Sequence, residues 1–166
     1  MALTNCDIIC FPGHLKAGAG SGGFTLDAAE EHGAYIFQVP KTGTLKKVGW
    51  RCYTATSPVL TLKVSLETVA STYGSPVATT NAGKTLYAAN AESADLTSFA
   101  SSTTYWTEIN GSTGVTVTKG DFIAVTFRAT AVTSGSITVA YQQYGEVLWQ
   151  LNYSSGTLIP YTCDLS

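Results

Sequence analysis

The sequence predicts an all-β protein: an antiparallel two-sheet β-sandwich (jelly roll) with a short N-terminal arm. Three observations predict it. Apolar and polar residues alternate with period two, most clearly in VLTLKVSLETV (59–69), where Leu60, Leu62, Val64 and Leu66 oppose Thr61, Lys63, Ser65 and Glu67. Turn clusters carrying Gly, Asn, Ser or Pro recur about every ten residues. Helical segments long enough to cross between parallel strands do not occur, which excludes a parallel α/β sheet.

In chain order, LDAAEEHGAY (26–35) has the composition of one helical turn. Asp27 is its N-cap, Glu30 stands at capping-box spacing, and Gly33 stops it. AYIFQV reads as a strand ending at Pro40, and KTG as the turn after it. In TLKKVGWRCY the alternation gives Val48, Trp50 and Cys52 a shared buried face, opposite Leu45, Lys47, Gly49, Arg51 and Tyr53. Ser57-Pro58 is a turn signal, followed by the strand 59–69. STYGSP breaks the chain, KTLYAA reads as a short strand, and 89–103 as a surface loop. TYWTEI, VTVT and DFIAVTFRA read as strands separated by NGSTG and KG. TSG (133–135) is a further turn, leading to SITVAYQQY and EVLWQLNY. About nine strands result.

Charged residues make up 12% of the chain, about half the usual share, and the polar surface falls instead to 25 Thr and 15 Ser. Thr suits strands and Ser suits turns, so a hydroxyl coat replaces the usual Lys/Glu coat. Weak self-repulsion suits an assembled protein better than a crowded monomer. A net charge of −2, with no basic cluster beyond Lys46-Lys47, argues against nucleic-acid binding. No apolar run approaches the ~20 residues of a membrane-spanning helix, and the N-terminus lacks the basic start of a secretory signal.

Motifs that would carry chemistry fail on context. Gly18, Gly20 and Gly23 match G-x-G-x-x-G, but no long helix follows and no acid stands about 20 residues on. Gly83-Lys84-Thr85 lacks the earlier P-loop glycine, since position 78 is Ala. Cys6 and Cys10 form C-x3-C without a second pair, so Cys6, Cys10, Cys52 and Cys163 are read as thiols packing like small hydrophobes, with a disulfide between the N-terminal pair and Cys163 as the alternative in oxidising surroundings. His32 follows Glu30 and Glu31 in what reads as a solvated turn, and the only other histidine is His14. Glu67, Glu108, Glu146, Asp95 and Asp121 supply carboxylates, with nothing in the sequence to pair any two for glycoside hydrolysis. No enzyme activity, cofactor or metal site is expected. Asn110-Gly111-Ser112 fits the N-glycosylation pattern, yet Asn-Gly is read as a hairpin turn.

Aromatic residues are numerous. Tyr105 and Trp106 are adjacent, so one of them must face outward from a strand. Tyr105, Trp106, Tyr144 and Trp149 are candidate contacts for a protein surface or a sugar ring.

The phrases FQVPKTGTLKKVGW and VTKGDFIAV, within a likeness running from about Gly23 to Tyr141, resemble a β-sandwich module of virion structural proteins in tailed bacteriophages. The resemblance implies a non-enzymatic jelly-roll protein displayed on a phage particle, as a capsid decoration or other minor component. Its localisation would be the virion, after synthesis in the host cytoplasm. Its partners would be copies of itself (trimeric if it decorates a lattice) and the major capsid or other virion proteins. On this reading residues 1–22 are an arm and joint, and 23–166 the sandwich. Cys6, Ile8, Ile9, Cys10 and Phe11 form an interface strand able to add to a neighbouring sheet edge, and Lys16 to Gly23 are a Gly-rich joint spanning about 15 Å as a coil. The alternative is a carbohydrate-binding module for host-surface glycans, stacking sugars on the exposed aromatics.

Overall fold

A computed structural model describes residues 23–39, 41–69 and 77–140, with the backbone of 150–154 and 157–161. Its described residues form nine strands and no helix: β1 (Gly23–Leu26), β2 (His32–Gln38), β3 (Gly43–Leu45), β4 (Lys47–Thr68), β5 (Thr103–Glu108), β6 (Val115–Val117), β7 (Phe122–Ala140), β8 (Gln150–Ser154) and β9 (Thr157–Tyr161). Every pairing is antiparallel. The larger sheet has seven strands in the order β5-β4-β7-β2-β8-β9, with β1 also on β7, and β3 and β6 form a second sheet.

Two long strands, β4 and β7, organise everything. At one end, residues 47–52 of β4 pair with β5, while residues 137–140 of β7 pair with β1. At the other end, residues 122–128 of β7 pair with β2, and residues 123–132 of the same strand pair with the second half of β4. The two ends fold onto each other. Val64 pairs with Phe127, and Trp50 lies fourteen residues before Val64, about 46 Å along a straight strand. Yet the rings of Trp50 and Phe127 meet at 5.5 Å, and Phe24 of β1 meets Phe127 at 6.0 Å. Such contacts require β4 and β7 to bend together, an arrangement consistent with a β-sandwich. The space between holds Leu26, Trp50, Cys52, Leu62, Val64, Leu66, Ile123, Val125, Phe127, Ile137 and Val139.

The bend falls where the sequence carries its turn signals. Ser57-Pro58 and Thr133–Gly135, read from sequence as two chain reversals, instead face each other across the ladder, with Thr56 opposite Ser136 and Val59 opposite Ser134. Neither reverses the chain, and each strand runs through. Register shifts between Thr56 and Val59 and at neighbouring positions bend the pair, as bulges do. Ser57 takes φ 41° and Gly135 φ 69°. A Cβ at 135 would lie 2.3 Å from the carbonyl oxygens of both Thr56 and Ser57, so only glycine permits this approach.

Four further expectations are corrected. NGSTG is not a hairpin. Lys47↔Glu108 and Leu45↔Val115 pair in the same sense on either side of it, so the segment is a loop inserted between β5 and β6. The left-handed conformations of Asn110, Gly111 and Gly114 let it leave and rejoin the ladder. The break at Lys46 opposite this loop places Leu45 inside, not on the outward face with Lys47. KTLYAA makes only an isolated bridge, Leu86 to Glu67. LDAAEEHGAY forms a turn without a helix, closed by the Glu31 carboxylate, which accepts from the Asp27 and Ala28 amides at 2.6 and 2.9 Å. Glu30, the expected capping partner, takes φ 70° and accepts instead from the Asn81 amide.

Candidate functional site

The outer faces of the two ends differ in what covers them. At the β2–β7–β4 end, alternation turns Gly33, Tyr35 and Phe37 inward and His32, Ala34 and Ile36 outward. The same alternation puts Ala124, Thr126 and Arg128 of β7, and Lys63, Ser65 and Glu67 of β4, on that outward face. Sequence logic makes this a wet face, but residues 77–96 lie against it and against the β4 edge. Val77 packs on Ala34 and Ala124. The carbonyl of Ala78 accepts from Arg128 Nη2 at 2.8 Å, and Leu62 and Leu96 exchange backbone hydrogen bonds.

The result is a buried ionic cluster. Arg128 and Glu67 are each 1% exposed, and Arg128 Nη2 lies 3.5 Å from Glu67 Oε1. Ser65 Oγ donates to the same carboxylate oxygen at 2.7 Å. Glu67 Oε2, Thr126 Oγ1 and Arg128 Nε and Nη1 are buried without a hydrogen-bond partner. His32 pairs directly across from Arg128 and is 3% exposed, which corrects its reading as part of a solvated turn. Its Nδ1 donates to the Glu30 carbonyl at 3.0 Å. Burial holds the His32 pKa below its ordinary value, the Glu30 carbonyl opposes this, and the Arg128 charge adds to the lowering. At the rim, Lys63 bridges Glu92 and Asp95 at 3.6 and 3.4 Å, and Lys84 of the GKT triplet binds Glu92 and Asn81.

At the β5–β4–β7–β1 end the outer face is open. Trp50 and Tyr105 stack inside at 4.8 Å, with Trp50 Nε1 donating to Thr107 Oγ1, so the outward member of the Tyr105-Trp106 pair is Trp106. Trp106 is 61% exposed. It stands directly across from Gly49, and a Cβ there would lie 2.9–3.1 Å from three carbons of the six-membered ring. The indole therefore lies on the glycine. Lys47 and Glu108, paired at 3.3 Å, flank it on one side; Arg51 and Thr104 flank it on the other. Further across, a hydroxyl row joins Thr54, Thr138 and Thr25 at 2.8 and 3.2 Å.

Of the aromatic candidates, Trp106 is displayed and Tyr105 is packed, its hydroxyl accepting from the Ala100 amide. The side chains of Tyr144 and Trp149 lie outside the described residues, as do the arm residues Cys6, Ile8, Ile9, Cys10 and Phe11, the C-x3-C pair, His14 and Glu146. Gly23 of the glycine motif sits in β1 opposite Ala140. The remaining candidate carboxylates are engaged separately: Glu67 with Arg128, Glu108 with Lys47, Asp95 with Lys63, and Asp121 with the Tyr87 hydroxyl. Cys52 is buried, and that burial raises its thiol pKa, so it packs as an inert hydrophobe. Among the described residues no group of three metal-ligating side chains converges. Sequence reading missed the Arg128–Glu67 cluster. Its signal was the placement of two opposite charges in the most strand-like segments, Glu67 in 59–69 and Arg128 in 121–129.

Comparison with protein-family models, curated proteins and solved structures finds no match to this chain.

Proposed function

We propose that this chain is a non-enzymatic structural protein of a virus particle, a jelly-roll sandwich that associates with copies of itself and seats on the particle surface. The observation that carries the reading is the surface. In a chain with only 12% charged residues, Val59 at the bend and Phe122 at the start of β7 are 56% and 51% exposed. A surface this weakly charged opposes association with little repulsion, and Val59 and Phe122 are two separate apolar contacts it offers a neighbouring copy. The likeness of residues 23–141 to phage virion modules points the same way, and β4 and β7, each shared by both ends of the fold, suit a jelly roll. Sedimentation velocity of the full chain over a hundredfold concentration range tests the reading. A discrete homo-oligomer is expected, and Val59→Ser with Phe122→Ser shifts it toward smaller species. A chain that stays monomeric throughout, and does not co-sediment with tailed-phage particles, counts against it.

A further inference from the structure

We propose that the open face around Trp106 is a saccharide-binding platform, with one pyranose ring stacked on the indole and its hydroxyls held by Arg51, Lys47 and Glu108. This goes beyond the structural role and does not depend on it.

The inference starts at Gly49. An exposed tryptophan on a strand ordinarily samples several rotamers. Here the ring rests on a residue without a side chain, one face against the β4 backbone and the other toward solvent. The aromatic face carries partial negative charge, and the axial C–H groups of a pyranose present partial positive charge with an apolar surface. The polar flanks fit the rest of such a ligand. Residues two apart along a strand are about 7 Å apart on one face, so Lys47–Glu108 and Arg51–Thr104 each stand about 7 Å from the indole's strand pair, on opposite sides of a ring stacked there. Both donors and acceptors for hydroxyls stand on these flanks. The Thr54–Thr138–Thr25 row continues the face across two more strands, about 10 Å, room for a following sugar unit.

A second copy of the chain is the competing occupant. The centre of a protein–protein interface is depleted of Lys and Glu, yet Trp106 is bordered one residue pair away by Lys47 and Glu108. That pattern suits a small amphipathic ligand that needs an apolar floor and a polar rim.

The experiment uses the full chain in affinity electrophoresis. The probes are soluble polysaccharides with gluco-, galacto- and manno-configured backbones and a uronic-acid polymer, with Trp fluorescence as a second readout. At least one polymer is expected to retard the protein and perturb its emission. Trp106→Ala weakens that binding tenfold or more. Gly49→Ala keeps the tryptophan but lifts its ring, and weakens binding severalfold with an unchanged far-UV circular dichroism spectrum. Arg51→Ala distinguishes the sources: a loss confined to the uronic-acid polymer marks a carboxylate ligand, and a loss on neutral polymers marks hydroxyl recognition. The proposal is overturned if no polymer binds at millimolar sugar, or if Trp106→Ala binds as wild type does. It is also overturned if Trp106→Ala changes only the sedimentation of the protein, which would make the face a contact between copies. Loss of assembly in the Val59/Phe122 variant leaves this result untouched.

Discussion

The same pair of strands, β4 and β7, builds two outer faces with opposite fates. Near Trp50 the face stays open and presents Trp106, Arg51 and a threonine row. Near Val64 the face is roofed by residues 77–96 and hides Arg128, Glu67, Ser65, Thr126 and His32. Each face is polar by its alternation. The difference is that a covering segment removes water from one of them, and every polar atom there must then find a protein partner or go without. Identical strand logic therefore yields an open surface at one end and an electrostatic knot at the other.

The largest way to sharpen this contrast is to remove one arginine from each face. Arg128→Ala leaves Glu67 charged in a dry layer and is expected to cost about 3–5 kcal/mol, read as a lower midpoint in urea denaturation. Arg51→Ala on the open face is expected to change stability by less than about 0.5 kcal/mol. The double change Arg128→Met with Glu67→Leu removes both charges at similar volume, and recovers most of the loss if the penalty is the stranded carboxylate. Equal destabilisation by the single and double changes would instead mean that Arg128 acts by anchoring the Ala78 carbonyl.

The bend that joins the two ends comes next. Gly135→Ala puts a methyl group 2.3 Å from two backbone oxygens at a positive φ, so the backbone of the bend must shift to admit it. A loss of about 3 kcal/mol is expected from overpacking together with left-handed strain. Gly111, also at positive φ but with open space around its Cβ position, is the control: Gly111→Ala is expected to cost about 1 kcal/mol. Similar losses at both positions would remove the close approach as the reason for glycine at the bend.

Acid separates the two ends more gently. His32 titrates below its ordinary 6.5 in the folded protein, because burial and Arg128 disfavour its charged form. The unfolded chain therefore binds the extra proton first, so stability is full above about pH 6.5 and falls as pH drops from there toward the folded value. The slope from this residue is at most about 1.4 kcal/mol per pH unit. His32→Gln is expected to flatten the urea midpoint between pH 6.5 and 5 relative to the wild-type chain. An unchanged profile would assign the acid response to the carboxylates.

Period-two alternation made much of this legible. Val48, Trp50 and Cys52, and Leu60, Leu62, Val64 and Leu66, are all buried as their pattern requires, and the Tyr105-Trp106 adjacency correctly demanded one outward ring. What alternation does not report is whether a second layer of chain lies on the far side. Ser65 and Glu67 sit at outward positions and are nonetheless buried, because residues 77–96 return over them through contacts distant in sequence. Turn chemistry was similarly ambiguous. Ser-Pro and Ser-Gly can mark a bulge as well as a reversal, and only their meeting across the ladder makes them a shared bend. Gly49 was legible only as an interruption in an outward stripe; its role under Trp106 needed the cross-strand register.

The smallest effect is the most discriminating for the open face. Trp106 is large and mostly in water, with its ring laid on Gly49, so Trp106→Ala is expected to change stability by no more than about 0.5 kcal/mol. Trp50→Ala, which empties a site bordered by Tyr105, Phe99 and Phe127, is expected to cost about 3–5 kcal/mol. A tryptophan that holds the fold would show in the denaturation midpoint, whereas one kept on the surface for a ligand leaves that midpoint in place and shows only in binding. Should Trp106→Ala lower stability by 2 kcal/mol or more, the ring belongs to the fold as a cover for the β4 backbone, and the two faces differ less than their exposure implies.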